Sequence, residues 1–350
     1  MTNRENMIRA IRFEKPEFIP MTFYINNACW NHYDQEELKD LIEEHPLLFP
    51  DYERPQGRVV PEYHLNQLAD RPWTDPWGCT WETALDGITG TVHRNPWESW
   101  EGFNAFCPPS AEETDGTFPI DWDAIRANVE QARKNGEFIS GGLPHGHTFL
   151  RLHDMRGYTN LLYDMVDEDP NLLRLVDMIS DFNHDYIMKW IELEPDMLSY
   201  PEDLGMQVGP MLSPDQFRQY IKPVYQRCMK PARDRGILVH MHSDGDIRDL
   251  ADDLIDGGVE AINLQDLVNG IDWIADKFSG KVCVDLDIDR QKITPFGTPA
   301  QIDALIREEV EKIGTPDGGL MMIYGLYPEL PLENVKAVMD SMERYMGHHS

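Results

Sequence analysis

The chain is poor in positive charge: 31 Lys and Arg stand against 62 Asp and Glu, a net of −31. A surface of that sign repels phosphate backbones and anionic headgroups, so nucleic-acid and membrane-surface roles are disfavoured. It also argues against a highly anionic small substrate unless a local group of arginines overrides the field. Cysteine is scarce too. The five (Cys29, Cys79, Cys107, Cys228, Cys283) are scattered, odd in number and never in a CxxC pair, a pattern of reduced thiols rather than of a disulfide framework. No apolar run reaches about 18 residues, and no basic stretch leads into an apolar one, so neither a membrane span nor a secretory signal is expected. The expected compartment is the cytoplasm. A GxGxxG, a phosphate loop and a nucleophile elbow are also missing.

What is present is a rhythm. From about Lys134 onward, short apolar or β-branched runs alternate with longer helical patterns. The strands expected are "EFISGGL" (137–143), "DMLSY" (196–200), "ILVHMH" (237–242), "EAINLQ" (260–265), "KVCVDLDI" (281–288) and "GLMMIYG" (319–325). Helical spacing fills the gaps, and Ser213 with Pro214 reads as an N-cap and first helical residue of a helix running to Gly236. Upstream, "FIPMTFYI" (18–25) and "GRVVPEY" (57–63) supply two more strands. Eight strand-then-helix units predict a (β/α)8 TIM barrel, with a doubly wound sheet as the alternative. The stretch 69–109 breaks the rhythm and is expected to be a hairpin or lid insertion in a single domain spanning 1–350.

In such a barrel, function sits where strands end and loops begin. Those positions carry Asn26 and Asn27, Glu62 and Tyr63, His145 and His147, Glu202 and Asp203, then His240, His242 and Asp244. Gln265 and Asp266, Asp287 and Asp289, and Tyr324 and Tyr327 complete the ring. It is rich in carboxylates, imidazoles and phenols, and nearly devoid of arginine. Such a set either holds a hard or borderline cation or moves protons between carboxylate and imidazole. His240 and His242 project to one side of a regular strand. They read either as a site pair or as one buried, hydrogen-bonded histidine beside a turn residue, and Asp244 before Gly245 doubles as a turn or cap residue. Trp73, Trp77, Trp81, Trp97 and Trp100 suit either the packing of an irregular lid or aromatic walls for a flat substrate.

"DMLSYPEDLGMQVGPMLSPDQFRQYIKP", "HSDGDIRDL", "DIDRQKITPFGTPAQI" and "GLYPELPLENV" occur here in an order and spacing that resembles the uroporphyrinogen decarboxylase superfamily. The resemblance covers most of the chain. It implies a (β/α)8 fold and either decarboxylase or corrinoid-dependent methyltransferase chemistry. The true decarboxylases carry an arginine-rich amino-terminal signature; here that region reads "MTFYINNACWNHYD", without arginine. The coenzyme M methyltransferases hold zinc with a His-x-Cys pair and a later Cys. His242 matches the histidine, but Asp244 and Tyr324 stand at the cysteine positions.

The remaining resemblance is to the methyltransferase I component of O-demethylases, which implies zinc on carboxylates and a histidine, here Glu202, His242 and Asp244. No Glu lies between Glu202 and His242, a departure from that branch's glutamate spacing. The expected activity is methyl transfer from a small, aromatic methyl ether to the cobalt of a corrinoid partner protein. His240, His242, Tyr324 and Asp203 are the expected catalytic residues. Asn26, Asn27, Glu62, His145, Gln207, Gln265, Asp289 and Tyr327 are the expected substrate contacts. The alternatives are a lyase acting on a small carboxylic acid and a non-catalytic binding protein; a homodimer is compatible with either.

Overall fold

The computed structural model describes residues 1–349. Among them are ten strands: β1 (Met21–Ile25), β2 (Trp73–Thr74), β3 (Thr80–Glu82), β4 (Thr91–Arg94), β5 (Ser140–Gly142), β6 (Met197–Asp203), β7 (Leu238–Asp244), β8 (Ala261–Gln265), β9 (Cys283–Asp287) and β10 (Leu320–Leu326). Seven of these, β1 and β5 to β10, belong to a parallel sheet and are separated along the chain by helices, which makes this a TIM-barrel-like α/β fold. No helix among the described residues is long and apolar enough to cross a membrane.

One expected strand does not form. In "GRVVPEY" the backbone of Val59 is satisfied by a side chain instead of a ladder: its N–H donates to Gln35 Oε1 at 2.7 Å, and its carbonyl accepts from Gln35 Nε2 at 3.0 Å. Pro61 lacks the N–H that a central strand needs, and Val60 is left exposed.

The chain divides into two compact units. The first comprises Met1–Arg71, Thr83–Thr89 and the chain from Leu264 onward. There β1 pairs parallel with β10 (Phe23 opposite Tyr324) and β10 with β9 (Leu320 opposite Val284). Helix Pro299–Ile313 starts from a reciprocal cap between Thr298 and Gln301, with Pro299 at the first position. Its buried stripe is Ile302, Leu305, Ile306, Glu309, Val310 and Ile313, so helical spacing carries a glutamate into an apolar core. Neither oxygen of Glu309 receives an N–H or O–H donor, and its polar neighbour is Asp266. Two carboxyl groups bond to each other only if one carries a proton. Burial, reinforced by Asp266, pushes the Glu309 pKa well up.

The second unit comprises Pro72–Glu82 and Gly90–Asn263. β5, β6 and β7 run parallel, with Ser199 opposite His240 and Asp203 opposite Asp244. Helix Pro170–Glu192 is capped by Asp169 and buries Leu175, Ile179, Phe182 and Ile187. The helix read from Ser213 does begin there, Ser213 accepting from the Gln216 amide, but one π turn (Phe217–Ile221) interrupts it before Lys222–Arg233. Pro223 has no N–H for the usual bond four residues back, and the wider turn absorbs the defect.

The expected hairpin is a three-stranded antiparallel sheet, β2-β3-β4. Asp75 organises its turn: it accepts from the amides of Trp77 and Cys79, both at 2.9 Å, from Trp81 Nε1 at 3.0 Å, and from buried Arg151 at 2.7 Å. The tryptophans pack. Trp77 meets Phe182 edge-on at 5.3 Å, and Trp97 meets Phe103 and Phe106.

A folded Glu309 keeps its proton well above the pH, near 4.5, at which the unfolded chain releases it. Above that pH the unfolded state binds fewer protons, so stability falls as pH rises. Glu309→Gln retains a donor toward Asp266 without an acidic proton. Urea unfolding should show the wild type losing stability relative to the variant as pH rises above about 4.5, and converging with it below that pH. A gap independent of pH would show that Glu309 is not protonated in the fold.

Candidate active site

The candidate site is built in the second unit at the carboxyl ends of β6 and β7 and in the loop after β5. Alternation along β6 puts Leu198, Tyr200 and Glu202 on its buried face and Ser199, Pro201 and Asp203 on the other. Register then sets Asp203 beside Asp244 and Pro201 beside His242. The loop after β5 brings in His145, whose Nε2 lies 3.2 Å from Asp203 Oδ1. His242 Nε2 faces the same oxygen at 3.5 Å, and Asp244 Oδ1 at 3.7 Å. The Asp244 amide donates to Asp203 Oδ1 as well, at 3.1 Å. One ligand atom from each of His145, Asp203 and His242 falls within 4.8 Å of the others. The His145 side chain is 51% exposed, so a small molecule or partner can reach the cluster.

The electrostatics follow from this convergence. Burial opposes charge on His242, but Asp203, Asp244 and the bond to Asn263 outweigh it, and the pKa rises to about 9. Desolvation likewise opposes charge on His145, and Asp203 again prevails, raising it. Burial alone would raise the Asp203 pKa; hydrogen bonds from both histidines hold it far below the usual carboxylate range.

Asn263, on β8, holds the far side of His242: its Oδ1 faces Nδ1 in a short hydrogen bond. With Oδ1 as acceptor, Nδ1 carries the proton and Nε2 is turned toward the carboxylates. Sequence reading missed this residue. Its signal was a polar side chain inside the apolar run "EAINLQ", and it is buried.

The loops are locked by an approach that only glycine permits. Gly205 follows β6 and Gly245 follows β7, and a Cβ on either would run into the backbone of the other. Gly245 also has φ +80°. The Gly205 amide donates to the Asp244 carbonyl at 3.2 Å, tying the two strand ends.

Several expected residues lie elsewhere. Glu202, expected as a metal ligand, is fully buried and caps helix Phe149–Arg156. It accepts from the amides of Thr148 (3.0 Å), Phe149 (2.7 Å) and Leu150 (3.1 Å) and from Tyr225 OH (3.1 Å). Alternation along β6 is the physical reason it leaves the cluster that Asp203 joins. Burial pushes its pKa up to about 7 against those amides, which favour the anion. His147 is also buried; its Nδ1 lies 2.6 Å from Thr148 Oγ1, and burial pushes its pKa down to about 3. In His145-Gly146-His147, then, one imidazole reaches the cluster and the other joins the core. His240 is buried against Ser199 Oγ, at 2.9 Å from Nδ1, and Gln207 is exposed on the loop after β6.

Within the first unit, Asn26 Oδ1 accepts from the Ala28 amide, and Asn27 Nδ2 donates to the Glu62 carbonyl. Asp289 accepts from the amides of Gln291, Lys292, Ile293 and Thr294. The Gln265 carbonyl accepts from Asn269. Tyr324 is buried, donates to Thr294 Oγ1 at 3.1 Å and has its pKa raised by burial. Tyr327 is partly exposed beneath the Arg290 guanidinium, 5.5 Å from its ring centre.

Fold and cluster together define an α/β barrel-type protein with imidazoles and a carboxylate converging at strand ends. The family model described as uroporphyrinogen decarboxylase (URO-D) matches residues 81–345, and the chain belongs to that family. Among solved structures, a methyltransferase from Methanosarcina mazei aligns over 98% of this chain and 98% of its own, with TM-score 0.65 and 17% identity, which establishes a shared fold. A B12-independent methionine synthase from Shewanella sp. W3-18-1 aligns over 63% of this chain and 64% of its own, with TM-score 0.39 and 10% identity. No curated protein matches the chain.

Gly245→Ala forces a side chain into the Gly205 backbone at positive φ, whereas Gly209, also at positive φ, has nothing within 4 Å of its Cβ position. Thermal unfolding should show Gly245→Ala destabilised by about 1–3 kcal/mol or more, and Gly209→Ala by less. Equal losses would show that the two loops part freely.

Proposed function

We propose that this protein moves a methyl group from a small aromatic methyl ether to the cobalt of a corrinoid carried by a partner protein. Family membership and the fold shared with a methyltransferase support the reading. The observation that carries it is the aim of two imidazole Nε2 atoms at one carboxylate oxygen, at 3.2 and 3.5 Å, in an accessible position. An uncharged ether also suits a chain of net charge −31.

In this reaction the methyl carbon–oxygen bond breaks. The reduced cobalt supplies the electron pair for the new carbon–cobalt bond, and the old bond's pair stays on the aryl oxygen. An aryloxide departs poorly unless that oxygen gains a proton or meets a Lewis acid. The pKa of His242, raised to about 9, keeps a proton on its Nε2 at neutral pH, and Asp203 shifts His145 in the same direction. The His242 imidazolium can pass its proton to the departing oxygen, giving a neutral phenol and a neutral imidazole. Asp203 holds both rings in line and stabilises their charged forms, and Asn263 fixes the orientation of His242.

The donor set also fits a divalent cation such as zinc, because an imidazole whose Nδ1 is committed to Asn263 turns its other nitrogen toward carboxylate oxygens. Held by His145, Asp203 and His242, that cation would supply Lewis-acid polarisation of the same ether oxygen.

Incubation with reduced cobalamin and a panel of methoxylated phenols should yield methylcobalamin and free phenol, followed by absorbance. His242→Ala and Asp203→Asn should each lower the rate by about 100-fold or more. Carbon dioxide release from a small carboxylic acid, with no carbon–cobalt bond formed from any ether, would replace this reading with a lyase.

A further inference from the structure

We propose that the loop after β10 is held by an acid-sensitive latch: a bare His32 Nε2 accepts the Glu329 amide, and protonation of that ring releases the Glu329 backbone. The latch lies wholly in the first unit and is independent of methyl transfer.

The short helix Cys29–His32 follows β1, and its last residue and the next one both reach the segment after β10. The Glu329 amide donates to His32 Nε2 at 3.1 Å. A ring nitrogen that accepts a hydrogen bond carries no proton, so this contact exists only with Nε2 bare. Tyr33 OH lies 2.9 Å from the Leu330 carbonyl and 3.2 Å from the Tyr327 carbonyl, and shares its one proton between them. Burial pushes the Tyr33 phenol up to about 12, so that donor persists wherever an imidazole titrates. Tyr33 is thus a fixed pivot, and His32 beside it is the switch.

What the switch restrains is Glu329. Its φ is +87°, a conformation that a residue with a side chain keeps only when its surroundings impose it. The amide bond to His32 and the two carbonyls held by Tyr33, one on either side, impose it here. A protonated His32 presents N–H toward an amide that is itself a donor, and the contact is lost. The groups around the ring determine its next partner. Cys29 is buried, with its thiol pushed up to about 12, and stays neutral. The Asp34 carboxylate is engaged by the amides of Glu36 and Glu37. The Glu329 carboxylate acts on Tyr33, whose ring lies 4.8 Å from that of His32, and both His32 and Glu329 are exposed to water. Acid therefore exchanges an amide–imidazole bond for a carboxylate–imidazolium bond made by the same residue, and the backbone relaxes toward negative φ. Two residues earlier in that loop stands Tyr327, whose ring supports the Arg290 guanidinium that pairs with Asp287 at 2.6 Å.

Amide hydrogen exchange on the full-length protein reads the latch, with each rate divided by its intrinsic value at that pH. From about pH 7.5 to about pH 5.5, a range spanning the ordinary imidazole titration, protection of the Glu329 amide should fall by about tenfold or more, while that of β10 amides stays constant. His32→Gln keeps an uncharged acceptor and should hold its protection at both pH values; His32→Phe should lack it at both. Glu329→Gln, without the competing carboxylate, should move the midpoint to lower pH. His32 and Glu329 are exposed, so these variants leave the core intact. The inference is overturned if the Glu329 amide is unprotected at about pH 7.5, if its protection does not change with pH, or if His32→Gln loses protection as the wild type does.

Discussion

Asp203 Oδ1 is the point on which the second unit's polar cluster depends. Two imidazoles and a backbone amide converge on that one atom, and its negative charge raises the pKa of both histidines. Charge in a partly desolvated place persists only when it is paired. The carboxylate favours the charged forms of both histidines, and the histidines keep the carboxylate ionised. Neither half of the arrangement is stable alone at that depth.

The scaffold that presents this atom uses a second carboxylate for a different purpose. Glu202 is adjacent in sequence and opposite in direction. It closes the amino end of helix Phe149–Arg156, where three amides would otherwise be buried without acceptors. That helix also carries Arg151, which ties to Asp75 and so holds the turn of the β2-β3-β4 sheet. A line of buried polar contacts thus runs from β6 through one helix to the hairpin, while the outward neighbour of its first member, Asp203, joins the two histidines.

Much of this was legible beforehand. Alternating apolar runs and capped helical patterns located six of the seven parallel strands from residue 137 onward, and β1 before them. "GRVVPEY" misled because β-branched residues mimic a strand when a glutamine side chain satisfies the backbone instead. At the site, His242, Asp203 and His145 stood out as polar residues at strand ends. What spacing could not say was which of Glu202 and Asp203 faces the cluster, because both precede the same loop and only the register of β6 separates them. Nor could it separate His145 from His147, since the positive φ of the intervening Gly146 permits divergent directions. Asn263 was hidden because it sits inside an apolar strand rather than at a loop.

The adjacency of Glu202 and Asp203 has an evolutionary corollary. Insertions in the exposed tip around Gln207 and Val208 can be accommodated by the surface. Deleting or duplicating one residue within β6 would swap the two acids, leaving the helix uncapped and turning the carboxylate that pairs the histidines toward the interior. Descendants of this chain can therefore diversify their loops while the length of that strand stays frozen.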